Sequence, residues 1–207
     1  MRLEQITDRI YHVNVPTQEE LASTFLRFQE FYESPKFRGK IFSLEEYARW
    51  YAAETGAFTY CSDWCGFNIP SHVLQPFYEG KFDPLSDREK ALLEFFRGVQ
   101  GSFYIIGTYG TANAETLKHE IAHGLYYTVP EYRRQVDEAL AGVDTELIRN
   151  NLRKTSGYSE DVMQDEVHAY LLVDYRNLRE QGLVGWRQWL VSWKLERIFN
   201  RHFKKRS

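Results

Sequence analysis

Cysteine is scarce in this sequence, since its 207 residues include only Cys61 and Cys65. Two cysteines are too few for a disulfide framework, and no second pair is present to complete a four-cysteine structural zinc site. We expect two free thiols at a hairpin, with a cross-turn disulfide or a redox pair as the alternative. Stability must therefore come from a buried core, for which a chain of this length is sufficient.

The sequence also lacks long apolar runs and an excess of positive charge. No window approaches the roughly 18 apolar residues that a membrane-spanning helix requires. The first residues mix charged and apolar groups, unlike a secretory signal peptide. The formal net charge is -3, whereas a basic stripe would be expected of a nucleic-acid-binding protein. We expect a cytoplasmic protein with no membrane span and no nucleic-acid partner.

Helix starts are the clearest local signals that the sequence contains. Thr17, Ser43 and Ser86 are each followed three residues later by glutamate, which is the pattern of a capping box. Aromatic and β-branched runs between these helices are typical of strands. The predicted strands are "IYHVNV" near residue 10, "AFTYC" near residue 58, "CGFNI" near residue 65, and "SFYIIGTY" over residues 102–109.

The pattern after Gly110 is helical almost without interruption. Pro130 suits the first position of a helix, and Asp144 suits the cap of the next one. Ser159 is predicted to cap a long helix that ends before Gly182.

The last predicted helix has tryptophans at helical spacing, Trp186, Trp189 and Trp193. We interpret this stripe as core packing. The basic end of the chain, "RIFNRHFKKRS", predicts a solvated helix end, with a weak contact to an anionic surface as the alternative.

These elements predict an α+β fold that is predominantly helical. A small N-terminal and central β-sheet would precede a helical C-terminal half, which contains His119 and His123. We expect one domain over residues 1–207, either undivided or split into two lobes with a cleft between them. The lobes would be a mixed α/β lobe over residues 1–110 and a helical lobe over residues 111–207.

A pair of histidines stands in the stretch "ETLKHEIAHGLYYTVPEYR". His119 and His123 are four residues apart, so on a helix both imidazoles project from one face and suit a single metal ion. Glu120 lies beside that face, where it can reach a water at the metal without binding the metal itself. A catalytic zinc needs a third protein ligand and leaves its fourth position open.

The third ligand has to come from another part of the chain. The metzincin pattern is excluded, because its third histidine would fall at Val129 and its glycine at Tyr126. On the helix predicted to follow Ser159, Glu166 lies inside an apolar stripe, where a carboxylate is costly unless it is paired or bound to a metal. We therefore predict Glu166 as the third ligand.

Two alternatives to this ligand set remain open. Glu166 could instead meet an arginine or cap a helix, and His168 is the reserve ligand. Projection of the same helix points Asp165 and His168 away from the apolar stripe.

The "HEIAH" helix, followed by "DEVHAYL" with its glutamate on a second helix, resembles the gluzincin branch of the zincin metallopeptidases, the thermolysin-like arrangement. The resemblance covers these two helices and the strand before them. It implies a zincin-like domain in which His119, His123 and Glu166 bind Zn²⁺ and Glu120 activates the attacking water.

Two further features are implied by the same resemblance. In that family an acidic residue four positions after the ligand glutamate orients the first histidine; here that position is Tyr170, a weaker hydrogen-bond acceptor. The strand before the motif helix borders the cleft in the family, and by position that strand is "SFYIIGTY". As an edge strand it would bind a peptide backbone by strand addition.

These residues predict a zinc-dependent metallopeptidase that acts on a peptide or protein substrate. Glu120 would serve as general base and then pass the proton to the leaving amine. A hydroxyl should stabilise the oxyanion, with Tyr158 as first candidate and Tyr127 or Tyr109 as rivals. Two other functions stay open: a zinc site with non-peptidase or purely structural use, and a metal-free interaction module. Neither the cleavage specificity nor the oligomeric state follows from the sequence.

Overall fold

The computed structural model describes residues 1–156 and 160–203 of the chain. These residues form helices and one four-stranded sheet, and the chain divides into two units, Met1–Ala112 and Asn113–Ser207. All four strands belong to the N-terminal unit, whereas the described part of the C-terminal unit is helical. The predicted α+β class with a helical C-terminal half is therefore confirmed.

The sheet of the N-terminal unit contains both parallel and antiparallel pairs. Its strands are β1 (Arg2–Gln5), β2 (Ile10–Val15), β3 (Gly66–Pro70) and β4 (Tyr104–Tyr109). The strand order is β1-β2-β4-β3, with β2 and β4 parallel and the other two pairs antiparallel. Because β4 has a neighbour on each side, the expectation that "SFYIIGTY" is an edge strand is wrong.

Three of the five helices of the N-terminal unit begin where the capping signals predict. The five are α1 (Gln18–Glu33), α2 (Leu44–Thr55), α3 (Tyr60–Asp63), α4 (Gln75–Tyr78), which follows a 3-10 turn at Ser71–Leu74, and α5 (Asp87–Phe96). The side chains of Thr17, Ser43 and Ser86 each accept a hydrogen bond from the backbone three residues on. These three predicted helix starts are confirmed.

The predicted strand "AFTYC" is wrong, because Tyr60 and Cys61 lie in α3. The Tyr60 side chain is fully buried, and its hydroxyl donates a 2.9 Å hydrogen bond to the Glu30 carboxylate. Cys61 and Cys65 are free thiols. They flank the end of this short helix and do not lie at a hairpin.

The core of the N-terminal unit lies between α1 and one face of the sheet, since α1 packs against β2, β3 and β4. The contact is close at Gly107, where a Cβ atom would lie 2.6 Å from the Phe25 ring. At the other side of α1, Arg27 forms a buried ion pair with Glu89, with nitrogen–oxygen distances of 2.7 and 2.6 Å. The Arg27 guanidinium also donates to the carbonyl of Phe82, so this charge is fully compensated inside the unit.

Six helices form the described part of the C-terminal unit. They are α6 (Ala114–Thr128), α7 (Pro130–Leu140), α8 (Glu146–Ser156), α9 (Glu160–Val173), α10 (Tyr175–Glu180) and α11 (Trp186–His202). Pro130 is the first residue of α7, and the Asp144 carboxylate accepts a hydrogen bond from the Glu146 backbone, as predicted. The predicted cap Ser159 lies outside the described residues.

One long helix up to Gly182 was expected, but two are present, and that prediction is wrong. The chain leaves the helical conformation at Asp174, between α9 and α10. The Asp174 carboxylate accepts a hydrogen bond from the side chain of Asn177 at 2.9 Å. This bond joins two side chains, and the low helix propensity of aspartate favours a break at this position.

Helix α11 buries a different face from the one expected. Its buried residues are Val191, Leu195, Ile198 and Phe199, and the helix packs against α7 and α9. By contrast, Trp186, Trp189 and Trp193 are 69%, 54% and 56% exposed, so their prediction as core residues is wrong. The helix has two apolar stripes, and the one formed by these four buried residues faces the core.

Across residues 1–156 and 160–203, no helix is both long enough and apolar enough to cross a lipid bilayer.

Candidate metal centre

The candidate site lies on two packed helices, α6 and α9. The Asn113 side chain caps α6 by accepting a hydrogen bond from the Glu115 backbone, and Ile121 and Leu125 anchor the helix in the core. This anchoring turns His119 and His123 toward α9, with their ring centroids 4.8 Å apart.

Three potential ligand atoms converge at this point. The Nε2 atoms of His119 and His123 are 3.1 Å apart, and the Glu166 carboxylate oxygens lie 4.0 Å from the first and 3.7 Å from the second. Ligands of a tetrahedral zinc, each about 2.0–2.1 Å from the ion, are separated by about 3.3 Å. Only small side-chain shifts separate the observed arrangement from that geometry.

Within the described parts of the chain, this is the one group of three or more histidine, cysteine or acidic side chains arranged to hold a metal ion. His123 and Glu166 are buried and His119 is partly exposed. The donor set of two imidazole nitrogens and one carboxylate oxygen is a combination that catalytic zinc accepts. The residues therefore fit a metal ion by both distance and chemistry.

The protonation of His119 suits a ligand. Burial lowers the pKa of His119 to about 3, with the positive charge of His123 as the next cause. At neutral pH this imidazole is uncharged, so a ring nitrogen keeps the electron pair that a metal needs.

Asp165 contacts the second histidine, His123, at the ring nitrogen that does not face His119 and Glu166. The Nδ1 atom of His123 lies 2.9 Å from the Asp165 carboxylate, on the opposite side of the ring from Nε2. Burial lowers the pKa of His123, but the carboxylates of Asp165 and Glu166 more than compensate and raise it to about 10. With this pKa the metal-free His123 imidazole is protonated on both ring nitrogens at neutral pH. A metal ion would therefore have to displace the Nε2 proton, while Asp165 on Nδ1 keeps the orientation of the ring. The prediction that Asp165 points away from the apolar stripe of this helix is thus wrong, and the same prediction for His168 is wrong because that side chain is fully buried.

Asp165 is in turn positioned by His168. The Nδ1 atom of His168 lies 2.9 Å from the backbone carbonyl of Asp165 and 3.1 Å from its carboxylate, and its Nε2 atom lies 2.9 Å from the Tyr132 hydroxyl. Burial raises the pKa of Asp165, but the imidazoles of His123 and His168 outweigh this effect and lower it to about 2. Both ring nitrogens of His168 are engaged in this network, so His168 supports the site and does not fit the reserve role as a ligand.

Tyr170 lies next to the first histidine. Its ring packs edge-on against the His119 ring, with centroids 5.0 Å apart and an interplanar angle of 82°. The position at which the resemblance implies an acidic residue is therefore in contact with His119, and the contact is aromatic.

The remaining predicted residues are placed as follows. Glu120 follows His119 on α6, is half-buried, and adds to the negative charge that acts on His123. Tyr158 lies outside the described residues. Tyr127 lies in α6, and it is 36% exposed. Tyr109 is the last residue of β4 in the N-terminal unit, where the adjacent Cys65 thiol raises its pKa.

Sequence reasoning missed Asp165 and Tyr132 as supporting residues. A usable signal was present for Asp165, because it stands directly before the predicted ligand and three residues before His168. Metal-binding histidines almost always donate their second ring N–H to a carboxylate, a carbonyl or a water, so the helix could have been searched for such a partner. Tyr132 gave no comparable signal, since its contact with His168 joins two separate helices.

Comparisons with known proteins found no protein-family model, no curated protein and no solved structure that matches this chain.

Proposed function

We propose that this protein is a zinc-dependent metallopeptidase that hydrolyses peptide bonds in cytoplasmic peptide or protein substrates. The observation that supports this most strongly is the convergence of the His119, His123 and Glu166 ligand atoms, all within 4.8 Å of one another. It agrees with the resemblance to gluzincins that the two helices suggest.

The number of ligands favours catalysis over a structural role. Structural zinc sites are usually closed by four protein ligands, whereas catalytic sites have three and leave one position open. The cluster supplies two histidines and one glutamate. A zinc ion bound there would polarise the substrate carbonyl and make a water molecule more acidic.

We assign the proton transfers of the reaction to the Glu120 carboxylate. It is adjacent in sequence to His119, on the same helix as both histidines, and a carboxylate there can accept the proton of the attacking water. The same carboxyl group then donates that proton to the nitrogen of the leaving amine. Asp165 keeps His123 oriented while these steps occur. For the oxyanion we retain the proposal that Tyr158 donates a hydrogen bond.

The test is to separate metal binding from cleavage. Glu120→Gln removes the base but keeps the size of the side chain, so it should retain the metal content of the parent and lose cleavage of a peptide library. The matched control is Glu115→Gln, an exposed glutamate of the same helix, which should cleave like the parent.

Two outcomes would contradict the proposal. If Glu120→Gln cleaves as fast as the parent, Glu120 is not the base. If the parent binds one metal ion per chain and cleaves no peptide, the site serves non-peptidase chemistry or holds the fold, which is the main alternative.

A further inference from the structure

The outward face of α11 exposes an unusual amount of aromatic surface. Trp186, Trp189 and Trp193 are 69%, 54% and 56% exposed, and Leu190 beside them is 47% exposed. Taking about 250 Å² for a complete indole side chain, the three rings expose roughly 450 Å². A monomer's largest apolar patch is typically of this size and is often functional.

These side chains project from one side of the helix. With about 100° per residue, Trp186, Leu190, Trp193 and Arg197 fall within an arc of about 60°, and Trp189 extends it to about 100°. Trp186 and Trp193 are about 10 Å apart along the helix axis. Residues in such a row can all touch one flat surface.

Cations surround the exposed rings. The Arg197 guanidinium lies 4.7 Å from the centroid of the Trp193 ring, and that of Arg187 lies 5.4 Å from the Trp186 ring. Four exposed cations stand on this helix: Arg187, Lys194, Arg197 and Arg201.

The acidic groups nearby do not neutralise this face. The one carboxylate of α11, Glu196, forms an ion pair with Lys118 of α6. On the adjacent α7, Glu131 and Glu138 share the single cation Arg134, which leaves one net negative charge. The four cations of α11 exceed this one charge, so the surface is locally positive on a chain whose formal net charge is -3.

We infer that this tryptophan and arginine face of α11 binds the surface of a bilayer that contains anionic phospholipid. Indole rings prefer the headgroup region of a membrane, where their apolar body is buried and their N–H stays hydrated. Cations at the same level attract the lipid phosphates. The helix would lie in the plane of the interface and would not cross the membrane.

Charge and area favour a lipid surface over a second copy of the chain. A two-fold dimer through this face would bring four cations against the same four cations of its partner, which is repulsive. The exposed indole area of roughly 450 Å² is also about half of the roughly 800 Å² that each partner of a stable interface buries in total, so the surrounding cationic residues would have to supply the rest.

The experiment is co-sedimentation of the full chain with lipid vesicles. We expect binding to vesicles with about one-third phosphatidylserine, little binding to pure phosphatidylcholine, and release when salt shortens the Debye length from about 10 Å to about 3 Å. Tryptophan fluorescence should shift to the blue on binding, because the indoles leave water.

Two double variants test the two parts of the face. Lys194→Glu with Arg197→Glu should weaken binding to the anionic vesicles at least about 25-fold, at about fivefold for each lost cation. Trp189→Ser with Trp193→Ser should weaken it at least about tenfold. The matched controls lie elsewhere: Arg176→Glu on α10, where the Arg176 side chain is 94% exposed, and Trp64→Ser, at 47% exposure. Both controls should bind like the parent.

Three results would overturn this inference. One is no sedimentation of the parent with anionic vesicles, and another is equal sedimentation of the parent and the tryptophan variant. The third is a parent that is dimeric in solution and becomes monomeric with the tryptophan variant, which would assign the face to a second copy. Because each variant replaces exposed side chains, unchanged thermal unfolding should accompany the loss of binding.

Discussion

Replacing Asp165 with asparagine should weaken metal binding without removing any of the three ligands. Each Asp165 carboxylate oxygen faces a ring nitrogen, His123 Nδ1 at 2.9 Å and His168 Nδ1 at 3.1 Å. An asparagine side chain has only one acceptor oxygen, and its NH₂ group would oppose the other imidazole N–H. One of the two hydrogen bonds is therefore lost, or an imidazole must change its tautomer.

The expected loss of metal affinity follows from the role of Asp165, which contacts a predicted ligand and is not a ligand itself. Loss of such a supporting group typically lowers metal affinity about 10- to 100-fold, which corresponds to about 1.4–2.7 kcal/mol. Loss of a ligand such as His123 should cost more, because the coordination itself is then incomplete.

The assay is a zinc competition titration against a chromophoric chelator at neutral pH. Asp161→Asn is the matched control, since Asp161 is an exposed aspartate in the first turn of the same helix. It should keep the affinity of the parent. An Asp165→Asn protein that folds normally and binds zinc within twofold of the parent would refute the role of Asp165 in orienting His123.

Two further predictions concern the N-terminal unit. Arg27→Ala leaves Glu89 buried without its bidentate partner, so the free energy of unfolding in urea should fall by about 3–5 kcal/mol; a loss below about 1 kcal/mol would mean that water reaches Glu89. Burial raises the pKa of Glu30 above its usual 4.5, so the folded state holds this proton more tightly than the unfolded state. The stability that Glu30 contributes is therefore present below pH 4.5 and is lost as pH rises through the folded pKa. Glu30→Gln should flatten this part of the pH profile in thermal unfolding, and identical profiles for variant and parent would contradict it.

Features set by neighbouring residues were predictable from the sequence. The caps at Thr17, Ser43 and Ser86 depend on a side chain and a backbone N–H only three residues apart, so tertiary structure has little influence on them. The shared face of His119 and His123 follows in the same way from helical periodicity. The prediction of Glu166 as a ligand also rests on the energetic cost of a carboxylate within an apolar stripe.

Features set by distant contacts were not predictable. Helix α11 has two apolar stripes, of which one packs against α7 and α9. Periodicity alone does not show which of the two is buried. Pairing of β4 with both β2 and β3 depends on strands far apart in sequence, so the edge prediction failed. Tyr60 has high strand propensity, yet its buried hydroxyl bonds to Glu30 from a helix, a case in which tertiary context overrides local preference.

The most direct test of the central claim is the zinc content of the purified protein, measured beside Glu166→Ala and the control Glu160→Ala. Glu160 is an exposed glutamate of the same helix, six residues earlier. We predict about one zinc ion per chain in the parent and in Glu160→Ala, as for a site with three protein ligands, and a loss of zinc in Glu166→Ala. Equal zinc content in all three proteins, or none in the parent after zinc is supplied, would contradict the assignment of His119, His123 and Glu166 as a metal centre.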